Sequence, residues 1–523
     1  MEDVKAKLNI SALAGWAEYV YDRAIRSPQF APALLVTVLV WEFGVLLFQA
    51  SKQLLGYDEL LTFHVSSLQP FSLFWSALKA GVDGMPLGYY LLVRAARMLP
   101  GDPHVTLRLP SILGYLMTLL GVYWFARKRL PGFAGLAAVF LITLSPFRGY
   151  ALEARSYSLL VGFLAISAVL WQRIGETRFM TPLFALSLTL AVSCHHLAVV
   201  AISAFGVAEL TWTFPSHRIR WGVWTAFLLA TSPFFMSLPI LLHYRDIFNT
   251  TFWSRPGWGM VISTYGFYLG LDDFTLPLVL IAFFGIVVGE SLLRTCRTPG
   301  EGSLDGRDFG PPEIVLVGGF LYFPALLVAL TKLLHSGYAP RYGWPAILGL
   351  VLGSVYLVRT IWLRSSSVYL LVALLIAFTY QCSFDVRMQY RAGSSRSDER
   401  WTRLAELSRS EPSIPVVIGS PIAYLEAAEY SPPELRDRLV EVADPDNATR
   451  LVGTDTPDKT NRLLAQFIPL HVEDLAAFQA AQQKFILRSD GPYDWFTLYL
   501  LERRYRLSLL SEDDGSSLYI AER

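Results

Sequence analysis

The sequence predicts a polytopic α-helical membrane protein with a small α/β domain at its C-terminal end. Three observations predict it. The chain of 523 residues is 53% hydrophobic and 14% aromatic but only 17% charged, whereas a soluble chain this long carries about 25% charge and splits into several domains. Apolar runs of roughly 16–22 residues recur from Ala31 to Phe384, each long enough to cross about 30 Å of hydrocarbon as a helix. Beyond Phe384 these runs stop, and short β-like segments alternate with helical ones.

About eleven spans are expected, at 31–50, 108–126, 133–147, 156–172, 180–194, 197–212, 221–242, 275–292, 313–333, 343–358 and 367–383. Residues 1–30 mix Lys5, Lys7, Arg23 and Arg26 with apolar side chains. They lack the compact apolar core and cleavage site of a signal peptide and read as an amphipathic segment on the inner membrane face. With the N-terminus inside, the basic segments 127–129, 173–178, 218–220, 294–307 and 359–364 all fall on the inner face, as the positive-inside bias requires. Residues from about 385 onward then lie outside.

That orientation gathers Asp58, Glu59, Asp83, Arg108, Glu153, Arg155, His195, His196, His243, Tyr244, Arg245, Arg341 and Tyr342 at the outer ends of the spans. Ionisable residues at membrane depth are costly and mark function. A scattered set would trace a path through the bilayer; a one-sided set points to a site where lipid meets water.

The outer loop 51–107 holds two amphipathic stretches, one after Pro70 with Phe71, Phe74, Trp75 and Leu78, the other over 86–99. Both read as helices along the outer surface, the second too short and too rich in arginine to span. In the loop 243–274, Trp253, Trp258, Tyr265 and Tyr268 suit an interface belt, or the flank of a lipid tail or sugar. Residues 384–523 predict a helix over 391–410, helical stretches at 421–430 and 472–483, and strands at 415–418, 438–442, 484–487, 505–510 and 517–520, forming a mixed sheet. Cys194, Cys296 and Cys382 are too dispersed for a disulfide framework or metal cluster and read as small core residues. A net charge of +1 gives no footprint for nucleic acid.

The motifs come in a fixed order. Asp58-Glu59 follows the first span. Then come Asp83-Gly84-Met85-Pro86-Leu87-Gly88-Tyr89-Tyr90, Arg108-Leu109-Pro110-Ser111, Glu153-Ala154-Arg155-Ser156-Tyr157, the pair His195-His196 and Pro340-Arg341-Tyr342. This order resembles the GT-C superfamily of membrane glycosyltransferases, in particular its protein mannosyltransferase and aminoarabinose transferase branch. Family members often carry His-Pro-Pro-Leu-Tyr-Tyr where this chain keeps only Pro86, Leu87 and Tyr89 of that run. The resemblance implies a GT-C membrane domain over 31–383, an extracytoplasmic domain over 384–523, and location in the cytoplasmic (inner) membrane. It also implies inverting transfer of a hexosyl or pentosyl group from a polyprenyl-phosphate donor to a glycan, lipid or protein hydroxyl.

Asp58 is then the expected catalytic base, since a carboxylate within hydrogen-bond reach can take a hydroxyl proton as the glycosidic bond forms; on the bland reading it caps a helix. Glu59 beside it is a second catalytic candidate, against simple solvation. Asp83 could join Asp58 around a divalent cation, Mg or Mn, because hard cations favour carboxylate oxygens. Arg108, Arg155 and Arg341 are the phosphate candidates, through the guanidinium fork, against snorkelling to lipid headgroups. Glu153 could pair with Arg155 and position it. His195, His196, His243, Tyr244, Arg245 and Tyr342 complete the expected substrate-binding set. Rivals are an oligosaccharide ligase or polymerase using a lipid-diphosphate donor, and a transporter or flippase, which calls for mid-bilayer charges, broken helices and an internal repeat.

Overall fold

The computed structural model describes residues 19, 27–130, 132–248, 254–270, 309–358, 364–391, 399–490, 493–513 and 515–523. Nearly all of the N-terminal segment 1–30, the expected span 275–292, and Trp253 and Cys296 lie outside them. The other expected spans fold as helices: Phe30–Ala50, Pro103–Arg127, Gly132–Thr143, Tyr157–Gln172, Met180–Cys194, Ala198–Ser216, Trp221–Phe248, Pro311–Leu321 with Phe323–Leu333, Ala346–Val358 and Arg364–Arg391. Among the described residues, four are long and apolar enough to cross a membrane, and up to six if each bent pair counts as one span.

The expected spans 133–147 and 313–333 are both bent. The first turns by 68° into a 3-10 helix, Pro146–Leu152, and the second by 51° between Leu321 and Phe323. Each bend comes just ahead of a proline, Pro146 and Pro324, whose missing N–H and fixed φ suit a helix start rather than an interior. The long helices keep apolar side chains on their outward faces as well, such as Val36, Val40, Leu228, Leu229, Phe235 and Met236. Helices apolar all round belong in lipid.

Helix Pro103–Arg127 is the central element. Asp102 caps it by accepting the His104 N–H at 2.9 Å, and Pro103 supplies a first helical residue that needs no donor. It packs against Tyr157–Gln172, and small residues set the closeness of that crossing. A Cβ added at Gly114 would stand 2.5 Å from Leu159 N, and one at Gly162 would stand 2.3 Å from Gly114 O. Arg127, where the basic run 127–129 begins, therefore lies about 28 Å along the helix from Arg108. At that far end Arg129 Nε donates to Glu313 at 2.8 Å, and Arg220 pairs with the buried Glu209.

The short helices of the first loop, Tyr57–Ser67, Phe71–Lys79 and Leu87–Arg97, stack over the same end as Arg108. Downstream, an α/β unit starts at helix Glu399–Ser408. Its strands are β1 Val416–Ile418, β2 Leu439–Ala443, β3 Val472–Asp474, β4 Lys484–Asp490, β5 Arg506–Asp513 and β6 Ser516–Glu522. They form one sheet in the order β3-β2-β1-β4-β6-β5, parallel from β3 through β4 and antiparallel at the β5–β6 edge. Side chains alternate in the sheet: Val416, Ile418 and Ile486 pack with Trp401 on one face, Val417, Phe485 and Leu487 with Trp495 on the other.

Two expectations change here. The stretch 472–483 opens as β3 before becoming helix Leu475–Ala481, because Val472 and Glu473 pair with Val442 and neighbours in a register too short to announce itself. Tyr268, expected at a lipid interface, is fully buried; it stacks on Trp344 at 4.4 Å and donates to Pro340 O at 2.8 Å.

Candidate active site

Asp58 opens helix Tyr57–Ser67, whose start is fixed by its neighbour. Glu59 Oε2 accepts the Gly56 N–H at 3.2 Å and Arg108 Nη2 at 2.7 Å, while Oε1 accepts Arg108 Nε at 2.7 Å and the Ala154 N–H at 2.8 Å. Arg108 is itself buried and also donates to the carbonyls of Ala50, Gln53 and Leu54. Two expectations are corrected by this geometry. Glu59 is engaged on both oxygens in a buried ion pair instead of standing ready as a catalytic carboxylate. Arg108 does not line the cavity described below and holds the chain ahead of Asp58 instead of a phosphate. Removing one partner of a buried pair leaves a bare charge and costs about 3–5 kcal/mol. Arg108→Met is therefore expected to lower the melting temperature sharply, measured by thermal unfolding in detergent.

With Glu59 fixed, Asp58 projects into a cavity of about 990 Å³. Its Oδ2 lies 3.0 Å from Arg341 Nη1 and its Oδ1 4.0 Å from Arg155 Nη2. Burial alone would raise the Asp58 carboxyl, but the two guanidinium charges outweigh it and hold the group below the usual carboxylate value. Arg155 also donates to Asp83 Oδ2 at 2.9 Å and Oδ1 at 3.4 Å, and Asp83 Oδ2 accepts the Tyr90 hydroxyl at 2.6 Å.

A shared divalent cation does not fit this arrangement. The Arg155 guanidinium stands between the two aspartates that were to share the ion, and no group of three His, Cys, Asp or Glu side chains able to hold a metal occurs among the described residues. The expected Glu153–Arg155 pair is likewise replaced by Asp83–Arg155. Glu153 lines the cavity, where burial, reinforced by the Asp58 charge, pushes its carboxyl up to about 7.

The His195-His196 pair sits where the chain leaves helix Met180–Cys194: His195 is extended, with φ −152° and ψ 123°. Both rings line the cavity at this break. His195 Nδ1 accepts the Leu197 N–H at 3.2 Å. Burial, with His196 and Arg155 beside it, lowers the ring to about 3, so it is neutral and its proton sits on Nε2, a buried donor without a protein partner among the described residues. Tyr244, Arg245 and Tyr342 also line the cavity; Arg245 is half exposed and pairs with Asp246 at 3.3 Å. His243 does not line it, its ring lying near Gly81.

Sequence reasoning missed two walls. One is apolar, made by Val199 and Val200, by Phe234, Leu238 and Leu241, and by Leu327, Leu330 and Leu334 of three separate helices. The other comes from the C-terminal unit: Ile422, Glu426, Thr456, Thr460 and Tyr493. In sequence the first looks like any lipid-facing stripe, and the second carries no motif. The resulting site sets the Asp58 carboxylate against the Arg155 and Arg341 guanidiniums, between an apolar wall and the C-terminal unit.

No protein-family profile and no curated protein sequence matches the chain. Solved structures do. ArnT from Cupriavidus metallidurans in the apo state matches at TM-score 0.51 and 14% identity, over 93% of this chain and 97% of that one. The same protein bound to undecaprenyl phosphate matches at TM-score 0.50 and 14% identity, with the same coverage. The Archaeoglobus fulgidus oligosaccharyltransferase matches more loosely, at TM-score 0.43 and 12% identity, over 89% of this chain and 70% of that one. The chain thus shares the fold of ArnT.

Proposed function

We propose that this protein is an inverting glycosyltransferase that moves a sugar from a polyprenyl-phosphate donor to an acceptor hydroxyl at the outer face of the cytoplasmic membrane. The observation that carries the reading is Asp58, held in the cavity against Arg341 and Arg155. The ArnT structure that shares the fold holds undecaprenyl phosphate, and the apolar wall here offers a prenyl chain a matching surface.

In this reading the donor phosphate competes with Asp58 for the two guanidiniums. Phosphate oxygens accept from Arg341, Arg155 and the Nε2–H of His195. The carboxylate of Asp58, released from its cationic partners and only partly exposed, becomes a stronger base. It takes the proton of the acceptor hydroxyl as that oxygen bonds to the anomeric carbon from the face opposite the phosphate. The bond from anomeric carbon to phosphate oxygen breaks, and the lipid phosphate leaves with its charge held by the arginines. One carboxylate suffices because inversion forms no covalent glycosyl-enzyme.

The test is incubation of the purified protein with radiolabelled undecaprenyl-phosphate-linked hexoses and pentoses, wild type beside Asp58→Asn. Transfer by the wild type and its loss in the variant are expected. Equal turnover by both proteins, or none by the wild type with any donor, would overturn the assignment.

Glu153 supplies a check that needs no substrate. Its carboxyl ordinarily titrates near 4.5 and is pushed up to about 7 in the folded protein. Between those values the unfolded chain has lost the proton and the folded chain keeps it, so this group's stabilising effect is full below about pH 4.5 and fades as pH rises through about 7. The melting temperature of the wild type relative to Glu153→Gln is expected to fall between pH 5 and 8, measured by scanning both proteins across that range.

A further inference from the structure

The segment that carries Asp58 is held from outside the membrane helices. Tyr430, the last residue of helix Pro421–Tyr430, brackets Leu55, three residues ahead of Asp58. Its hydroxyl accepts the Leu55 N–H at 2.7 Å and donates to Leu55 O at 3.3 Å. One residue ahead of Asp58, the Tyr57 hydroxyl donates to Asn461 Oδ1 at 3.1 Å.

Asn461 is fully buried in helix Thr456–Leu464. Its Nδ2 donates to Pro421 O at 2.8 Å and to Glu441 Oε2 at 2.8 Å. A carbonyl can only accept, so the amide orientation is fixed, and with it the acceptor offered to Tyr57. Leu425 and Leu464 pack in one cluster with Leu55, Leu60 and Leu61. Lys459 of the same helix donates to Ile247 O at 3.0 Å, tying the unit to the opposite wall of the cavity as well.

We infer that the C-terminal unit sets the position of the Asp58 carboxylate, with Tyr430 and Asn461 acting as positioning residues for the reaction. The inference rests on Asp58 being the base. Neither side chain lines the cavity, so neither touches the donor; both act on the backbone or ring beside the reacting group. A misplacement of about 1 Å can cost roughly a hundredfold in rate, and each clamp acts within three residues of Asp58.

The experiment uses the full-length protein in detergent, with the productive radiolabelled donor of the panel for turnover and undecaprenyl phosphate for binding. Tyr430→Phe, which removes a single hydroxyl, and Asn461→Ala are each expected to lower kcat about tenfold or more while leaving undecaprenyl phosphate affinity within about twofold. Tyr57→Phe combined with Asn461→Ala is expected to be no slower than Asn461→Ala alone, since the Tyr57–Asn461 bond that Tyr57→Phe removes is already gone in Asn461→Ala. If the wild type is active and Asp58→Asn is not, yet both positioning variants run at the wild-type kcat, the inference falls and the base assignment stands. A parallel loss of binding and kcat, which marks general unfolding rather than positioning, also overturns it. A fully active Asp58→Asn overturns the base assignment and the inference together.

Discussion

Replacing Asp58 by Asn is expected to lower kcat about a hundredfold to ten-thousandfold, the range general bases contribute, without weakening the lipid phosphate. The two halves of this expectation come from one geometry. Asn keeps the shape of the side chain but cannot take a proton from a hydroxyl. It also removes the charge that now sits 3.0 Å from Arg341 and 4.0 Å from Arg155. With that charge gone, a phosphate no longer competes with position 58 for the two guanidiniums, although Arg155 keeps its pairing with Asp83. Undecaprenyl phosphate is therefore expected to bind Asp58→Asn as tightly as the wild type or more tightly, measured by equilibrium binding in detergent. Unchanged kcat would remove Asp58 from the chemistry. Loss of both kcat and binding would make it an architectural residue.

The second large effect is expected at Arg341. Arg341→Ala should lower kcat/KM for the donor roughly 10²–10³-fold, the cost of losing one donor aimed at developing charge, and Arg341→Lys should recover only part of it, because an ammonium cannot present two parallel donors. A pH profile separates this role from a purely structural one. Arg341 is one of the two cations that hold the Asp58 carboxyl low against the pull of burial. Without it that carboxyl titrates higher, so the acid limb of kcat/KM should move to higher pH in Arg341→Ala. A limb that stays in place would mean that Asp58 is not the group titrating in the rate.

Much of the membrane part was legible because its signal is local. An apolar run long enough to cross a bilayer reads the same whatever packs against it, and the helices at 30–50, 103–127 and 221–248 stand where those runs lie. The bends before Pro146 and Pro324 were not read, although both prolines were in view, because a proline inside an apolar run signals a kink without giving its angle. Within the site the limits are sharper. Asp58 and Glu59 are adjacent carboxylates, indistinguishable in sequence; what separates them is Arg108, which lies 49 residues on from Glu59 and takes that carboxylate as its ion-pair partner. Arg108, Arg155 and Arg341 looked equivalent for a similar reason. The two that line the cavity differ from the one that does not only in their partners. The clamps on the Asp58 segment span 375 and 404 residues, and no periodicity or motif records a contact at that range.

The contact between Gly114 and Gly162 carries a mechanical consequence. Where two backbones touch without side chains between them, nothing is left to compress, and the helices cannot slide or roll without a clash. Arg108 stands less than two turns from this weld on one helix, and Arg155 stands at the head of the other. One flank of the chamber is thereby an anvil. For the proposed prenyl-phosphate donor, the room then lies on the far flank, among Phe234, Leu238 and Leu330, where leucines and a phenylalanine can yield by turning their rotamers.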